Sequence, residues 1–271
     1  MGKRFLAMLV AVMFATNMSA AVLTPEEEAL PPEAKGLRIA ENLSDDQDGY
    51  VDSILTMKMI LINKNGDETV REMHTKNKEG VDGEGDMGLI VFDSPRDQKG
   101  TALLTHSHKD EDDEQWLYLP ALKRVKKIAS SGKSGSFMGS EFSFEDIGGG
   151  GDTKDYDYKW LRDEVYEGKQ CFVLQSIPKD KNSGYTKIIA WIDKESGRNY
   201  KTEFYDRKNS HLKTMTISGF KKYNGEHDRP AELLMVNHQT GKSTKMLMSD
   251  YEFGVGLSEQ EFTTNSLKRA R

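Results

Sequence analysis

Residues 51–76, VDSILTMKMILINKNGDETVREMHTK, decide the fold of this chain. Apolar and polar residues alternate as far as Leu61, at the period of two that is typical of a half-buried antiparallel strand. The turn NKNGD follows at residues 63–67, and its Asn-Gly pair is a strong hairpin signal. The return strand is predicted at residues 68–76. The segment therefore predicts a hairpin whose concave side buries one set of side chains: Val51, Leu55, Met57, Met59 and Leu61.

The same pattern recurs along the rest of the chain. Strands are predicted at residues 87–92, 101–108, 114–119, 156–166, 170–177, 185–193, 199–207, 212–223, 231–239 and 243–253. Short polar turns separate them, and no linker long enough to separate two domains follows residue 50. About 11 strands at this spacing indicate an α+β fold that is mainly antiparallel β, as one large sheet, curled or closed. We expect a single domain over residues 22–271.

The N-terminal part carries helix signals. Thr24-Pro25-Glu26-Glu27 is a capping-box pattern with proline at the first helical position. A second helix is predicted at residues 32–44, where Ala34, Leu37, Ala40 and Leu43 recur at every third position. Such an amphipathic helix must pack on an apolar surface, and we expect it to lie near the concave side of the sheet.

Residues 1–21 have the features of a secretory signal peptide. Two basic residues precede a short apolar run, and small residues follow it. No cysteine lies near the expected cleavage point, so we predict an exported, soluble, periplasmic protein without lipid attachment. The formal net charge of −6 argues against a nucleic-acid binder, whose domain is normally basic. Cys171 is the single cysteine, which rules out an internal disulfide.

The sequence contains no complete catalytic set. Gly132-Lys133-Ser134 resembles the end of a phosphate-binding loop, but Lys127 stands where that motif needs a glycine. We predict no metal site and no cofactor, and we expect the protein not to be an enzyme. A secreted lipid hydrolase stays open as a minor alternative, because distant segments can assemble a Ser/His/Asp set that the sequence does not reveal.

A basic run follows the strand at residues 114–119. Its charged members are Lys123, Arg124, Lys126 and Lys127. One interpretation is contact with a lipid headgroup or with a partner protein. The other is an exposed edge strand that its lysines protect against pairing with another chain. We predict that the Ser/Gly-rich and Phe-rich residues 130–144, which come next, form a mobile gate or docking loop.

Methionines are frequent on the predicted strands. Methionine is flexible and polarizable, and it suits surfaces that bind varied apolar shapes. Alternation on the strands indicates that many of these side chains face the inside of the sheet. We therefore expect a deformable apolar cavity, lined by Leu55, Met57, Met59, Leu61, Leu104, Trp116 and Met138.

Several motifs resemble those of the outer-membrane lipoprotein-sorting proteins, a family similar to the periplasmic carriers LolA and LolB. They are FDSP at residues 92–95, KGTALL at 99–104, WLYLP at 116–120, SFMGS at 136–140, FED at 144–146, TG at 240–241 and LSEQEFT at 257–263. Together they cover essentially the whole chain after residue 21. The resemblance implies an unclosed, or half, antiparallel β-barrel whose short helices pack into its concave face around a cavity for acyl chains.

The resemblance also implies a function without catalysis. A periplasmic carrier would take lipid or lipoprotein acyl chains between envelope membranes, or to and from an inner-membrane exporter of the RND or MMPL-like type, with an outer-membrane acceptor as a further partner. A non-catalytic adaptor subunit of such an exporter is the main alternative. Both agree with the signal peptide, the alternating strands and the methionine-rich faces.

Overall fold

The computed structural model describes residues 22–45, 49–80, 85–108, 111–148, 153–225 and 227–270. The predicted signal peptide lies outside the described residues. The α-helices are α1 Pro25–Glu28, α2 Pro32–Asp45, α3 Phe144–Ile147 and α4 Thr264–Leu267. Short 3-10 helices lie at Pro120–Leu122, Ser130–Gly132, Thr153–Asp155 and Glu259–Phe262. None of the described helices is both long enough and apolar enough to cross a membrane.

The β-strands account for most of the regular structure. They are β1 Asp52–Ile62, β2 Glu68–Lys78, β3 Met87–Ser94, β4 Ala102–His106, β5 Glu114–Leu119, β6 Arg124–Ile128, β7 Tyr156–Tyr166, β8 Lys169–Pro178, β9 Tyr185–Asp193, β10 Asn199–Asp206, β11 His211–Ser218, β12 Lys221–Tyr223, β13 His227–Arg229, β14 Glu232–Asn237 and β15 Ser243–Phe253.

Thirteen of these strands form one antiparallel sheet in the order β6-β5-β4-β3-β2-β1-β15-β14-β11-β10-β9-β8-β7. The first and the last long strands of the chain pair at its centre, with Met57 opposite Met248. The strands β6 and β7 are the two edges, so the sheet does not close on itself. The prediction of a mainly antiparallel, unclosed barrel is confirmed.

Two details of the strand prediction are wrong. The sheet has 13 strands rather than about 11, and the basic run supplies one of them as β6. The segment predicted as one strand at 212–223 is broken after Ser218, because Gly219 has a φ of +69° and turns the chain away. The strand β12 that follows pairs only with β13, in a separate two-stranded hairpin.

The sheet is strongly curved, because side chains from distant strands meet in one cluster. Leu117 of β5 and Phe204 of β10 belong to the same buried apolar cluster, together with Met59 of the central strand β1. Met59 is completely buried. Val51 is not part of this cluster, contrary to expectation: it precedes β1 with a φ of +62° and is 59% exposed.

Helix α2 packs on the same face of the sheet, at the β7 edge. Ile39 of α2 and Ile192 of β9 share a second apolar cluster. Ile192 is four positions from Ile188 in the same strand, so both side chains point to the same face, and Ile188 lines the cavity described below. The buried residues of the helix are Lys35, Gly36, Ile39 and Ala40, whereas Ala34 and Leu37 are exposed. The helix therefore packs through a face that is shifted by about one residue from the predicted one.

Gly36 explains the shift of that face. A Cβ atom at this position would lie 2.7 Å from the backbone nitrogen of Trp160 in β7. The helix backbone therefore lies directly against the strand, and only glycine allows this approach. The neighbouring Lys35 places its Nζ 4.2 Å from the centroid of the Trp160 ring, which keeps its buried ammonium group in a favourable environment.

The C-terminal segment covers the opposite, convex face. Phe262 and Leu267 are buried there against β3 and β4. The carboxylate of Asp52 anchors the start of this segment, since it accepts hydrogen bonds from the backbone N–H groups of Val255 at 2.7 Å and Leu257 at 2.8 Å. The sheet is thus covered at these places on both faces.

Candidate functional site

The concave face holds a cavity of about 790 Å³. This volume lies within the usual range of about 300–1,000 Å³ for small-molecule sites. Seven of the strands contribute apolar side chains to its wall: Leu55, Met57, Ile90, Ile188, Phe204, Met215, Leu233, Met246 and Met248. Four of these side chains are methionines, as the sequence pattern predicted for a deformable surface.

Five of the seven predicted cavity residues lie on the concave face. Leu55 and Met57 line the cavity itself. Met59, Leu61 and Met138 belong to or pack against the apolar cluster that adjoins it. The strand alternation from Leu55 to Leu61 is therefore the arrangement that the sequence predicted.

Leu104 and Trp116 do not line the cavity, and this part of the prediction is wrong. They are cross-strand neighbours in β4 and β5 and point to the convex face, where they cluster with Phe262 and Leu267. The sequence could not show this, because β4 reads ALLTH and is apolar on both faces. Only the register distinguishes Leu103, which lies on the concave side, from Leu104.

A plug fills the part of the concave face next to the cavity. We use this name for residues 133–148, which include α3. The plug buries Phe137, Phe142 and Phe144, with Phe137 completely buried. The ring of Phe137 contacts Phe92 of β3 at 5.9 Å and Phe144 at 5.6 Å between centroids. Phe142 and Ile147 also line the cavity, so the plug forms its floor.

Hydrogen bonds hold the plug on the sheet. Lys213 of β11 is 3% exposed, and its Nζ lies 2.5 Å from Oδ2 of Asp146 and 3.0 Å from the carbonyl oxygen of Glu141. The hydroxyl of Tyr185 donates to the other oxygen of Asp146 at 2.8 Å. Asn237 donates to the Glu141 carboxylate at 2.7 Å.

The segment at residues 130–144, predicted to be a mobile gate or docking loop, packs against the barrel through its phenylalanines. These side chains occupy apolar sites inside the barrel. The sequence does not reveal the roles of Lys213 and Tyr185, because the alternation of residues in β9 and β11 does not indicate that they contact a distant loop. Asp146 did carry a signal: Ser143 and Asp146 form a complete capping box at α3.

Polar groups surround the other parts of the cavity wall. Tyr50 donates a hydrogen bond to Asp86 at 3.2 Å, and burial, with the Asp86 charge next, raises the pKa of its phenol. Arg229 and Tyr251 contribute from the side of the β12–β13 hairpin. The hairpin is held by a bidentate ion pair in which Arg198 Nε lies 2.6 Å from Asp228. No described group of three or more His, Cys, Asp or Glu side chains is arranged to hold a metal ion.

The basic run lies at an edge of the sheet, outside the cavity wall. Lys123, Arg124, Lys126 and Lys127 are all exposed on or beside β6, which pairs with β5 alone. Lys127 forms an ion pair with Glu114. Leu122 at the adjoining turn is 67% exposed. This geometry agrees with the edge-strand interpretation, and all four charged side chains are accessible to a partner.

Comparison with known proteins identifies the family. A crystal structure of a domain from Vibrio parahaemolyticus, described as an outer membrane lipoprotein-sorting protein domain, is 50% identical in sequence. The match covers 87% of this chain and 99% of that chain, with a TM-score of 0.83. The chain belongs to the family of outer membrane lipoprotein-sorting proteins. A family model described as an uncharacterized protein family matches residues 84–269.

Two further solved structures are similar to this chain. A DUF1329 family protein from Desulfovibrio piger is 31% identical over 88% of this chain and 100% of that chain, with a TM-score of 0.83. A LolA superfamily protein from Nitrosomonas europaea shares the fold at 20% identity over 84% of this chain and 98% of that chain, with a TM-score of 0.68. No curated protein matches the chain.

Proposed function

We propose that this protein is a periplasmic, non-catalytic carrier that binds lipid or lipoprotein acyl chains in the concave cavity and passes them between envelope membranes or to and from a membrane exporter. The observation that supports the proposal most directly is the methionine-lined cavity of about 790 Å³ on the open face of the sheet. The family description of the Vibrio relative, lipoprotein sorting, points to the same class of cargo.

The energetics of the cavity suit an acyl chain. Burial of an apolar chain contributes roughly 0.8 kcal/mol per methylene group, so a sixteen-carbon chain would gain about 12 kcal/mol before its losses of entropy. The wall that would receive it contains Met57, Met246 and Met248 side by side on two paired strands. Thioether side chains adapt to a chain of varied shape without a fixed rotamer.

Release of the cargo needs a competing occupant of the same face. The plug already fills the concave face beside the cavity with three phenylalanines, and its Phe142 and Ile147 lie at the boundary. A shift of the plug into the cavity would displace a chain, because each state buries apolar surface that the other exposes.

Transfer also requires recognition of a donor or acceptor. The exposed charges of Lys123, Arg124, Lys126 and Lys127 supply a surface that attracts anionic headgroups or an acidic partner protein. They stand on an edge strand beside the exposed Leu122. We assign this edge to contact with a membrane or an exporter of the RND or MMPL-like type, and the cavity to the cargo.

Lipid extraction tests the proposal. The exported protein is purified without detergent and analysed by native mass spectrometry, and its transfer of labelled lipid from donor to acceptor vesicles is measured. Bound lipid and protein-dependent transfer are the expected results. Binding to exporter components without any bound or transferred lipid would favour the adaptor alternative, and turnover of an ester substrate would favour a hydrolase.

A further inference from the structure

The apolar cavity adjoins a smaller cleft of about 330 Å³. Glu145, Gly148 and Tyr156 line both spaces. The charged side chains of the cleft are mainly acidic: Glu111, Asp112, Asp113, Glu145, Asp155 and Asp180 face Lys133, Lys154 and Lys179. A chain held against the methionines can therefore bring its other end to Glu145, which lines the cavity itself.

Glu145 stands at the junction of the two spaces. Its Oε1 accepts a hydrogen bond from the backbone N–H of Gly184 at 3.0 Å, and no Lys, Arg or His of the described residues forms an ion pair with it. Burial raises the pKa of its carboxyl, and the adjacent charge of Asp146 raises it further. Asp146, in contrast, has its compensating ammonium in Lys213. Lys213 also lowers the pKa of the Glu145 carboxyl through its charge, but its ion pair is with Asp146, so Glu145 has no ion pair of its own among the described residues.

Gln115, which also lines the cleft, has an unsatisfied acceptor. Its side chain is 1% exposed, and its Nε2 donates to the carbonyl oxygen of Phe144 at 3.0 Å. Its Oε1 has no hydrogen-bond partner among the described residues. A buried acceptor without a partner is destabilising, so a hydrogen-bond donor from a ligand would be favourable here. The same cleft contains Asp113, whose carboxyl pKa is raised by burial.

Aromatic rings complete the junction. The rings of Tyr156 and Tyr158 lie 6.0 Å apart between centroids, and both tyrosines line the cavity. Burial, followed by the charge of Glu145, raises the pKa of Tyr156 to about 12, so its phenol is neutral at physiological pH. Neutral phenol rings attract ammonium groups through their negative faces.

We propose that this junction binds the positively charged, hydrogen-bond-donating end of an amphiphile, an ammonium group carried on an alkyl or acyl chain. The inference rests on the proposed carrier function, since the chain itself would lie in the methionine-lined cavity. At the junction itself a carboxylate, a carbonyl-type acceptor and aromatic rings favour an ammonium group over a carboxylate.

A metal ion shares the positive charge of an ammonium group but fits the site less well. Calcium takes six to eight oxygen ligands in a converging shell. The described residues contain no group of three or more His, Cys, Asp or Glu side chains arranged for a metal. Glu145 instead lines the apolar cavity as well as the cleft, which suits a head group attached to a chain.

Three probes with the same twelve-carbon chain test the assignment: dodecylamine, dodecanol and dodecanoate. Their affinities for the full protein are measured by displacement of a fluorescent chain probe at neutral pH. Dodecylamine is expected to bind tightest, and Glu145→Gln to weaken it by about tenfold, the worth of one charge-assisted hydrogen bond. Dodecanol affinity should not change. The exposed Glu195 gives the matched control Glu195→Gln, which should alter none of the three; Asp113→Asn serves as the second variant if Glu145→Gln does not fold.

Each other outcome has a distinct meaning. Equal affinities for the three probes would overturn the ammonium subsite but leave the carrier function intact. Failure of all three to bind would overturn the carrier function itself. Calcium binding by calorimetry that Glu145→Gln abolishes, with dodecylamine unaffected, would show that the cleft takes a metal ion and would overturn the proposal.

Discussion

Lys213 of β11 and Asp146 of the plug form an ion pair with a 2.5 Å separation, and both side chains are at least nine-tenths buried. The pair joins a central part of the sheet to a segment 67 residues earlier in the chain. The Lys213 ammonium also lies 5.2 Å from the ring centroids of Tyr185 and Phe204. A charge removed from water in this way is tolerated only because its partner and its hydrogen bonds are in place.

Substitution of Lys213 by Met should therefore destabilise the protein strongly. The change leaves the Asp146 carboxylate buried without its cation, for which the expected cost is about 3–5 kcal/mol. Urea denaturation at neutral pH measures it. The exposed Lys208 provides the control Lys208→Met, which should change the unfolding free energy by less than about 0.5 kcal/mol. A cost for Lys213→Met as small as that of the control would mean that the pair does not hold the plug.

Substitution of Met57 by Glu should abolish binding of an apolar chain while the protein stays folded. Met57 lines the cavity and is only partly buried, so a carboxylate there is hydrated in the empty protein, but its burial under a bound chain costs several kcal/mol. The neighbour Thr56 is exposed on the other face of β1, and Thr56→Glu is the matched control. Chain-probe binding measures both. Unaltered binding in Met57→Glu would place the cargo elsewhere.

Replacement of Lys123, Arg124, Lys126 and Lys127 together by Ser should leave the fold intact. Exposed charges contribute roughly 0–1 kcal/mol each to stability, and the ion pair of Lys127 with Glu114 is largely exposed. Transfer of lipid to anionic vesicles should fall, and its dependence on salt should become weaker. A matched variant at the exposed Lys64, Lys208, Lys242 and Lys268 should transfer normally. Equal transfer by both variants would leave the basic run as a solvated edge.

Glu145 should make stability depend on pH in a direction opposite to that of most carboxylates. Its folded pKa is raised above the usual value of 4.5, first by burial, so the folded state holds this proton more tightly than the unfolded state does. Stability is therefore highest below the unfolded pKa and falls as the pH rises from there through the folded pKa. Denaturant titrations across that range measure the slope, which Glu145→Gln should make less negative. An unchanged slope would show that Glu145 titrates normally.

Where one face of a strand is apolar and the other polar, the residue pattern predicts both the strand and which of its faces is buried. The hairpin of β1 and β2 is the clearest case, because a period of two with an Asn-Gly turn has one physical solution in water. The family motifs at residues 92–104 and 116–146 identified the same fold through resemblance. The alternation predicted a large antiparallel sheet and the cavity positions of Leu55 and Met57, and the resemblance added that the barrel is unclosed.

Where both faces of a strand carry apolar residues, tertiary contacts decide which side chains point to the concave face and which to the convex face. Leu104 and Trp116 occur in strands with apolar residues on both sides, so only the register and the C-terminal segment with Phe262 assign them to the convex face. The plug is a similar case: its Ser/Gly-rich sequence indicates a loop, but its position depends on Lys213 and Tyr185, which come from distant strands. Contacts between residues far apart in the chain leave no periodic signal, and the same holds for the junction of Glu145, Gln115 and Tyr156.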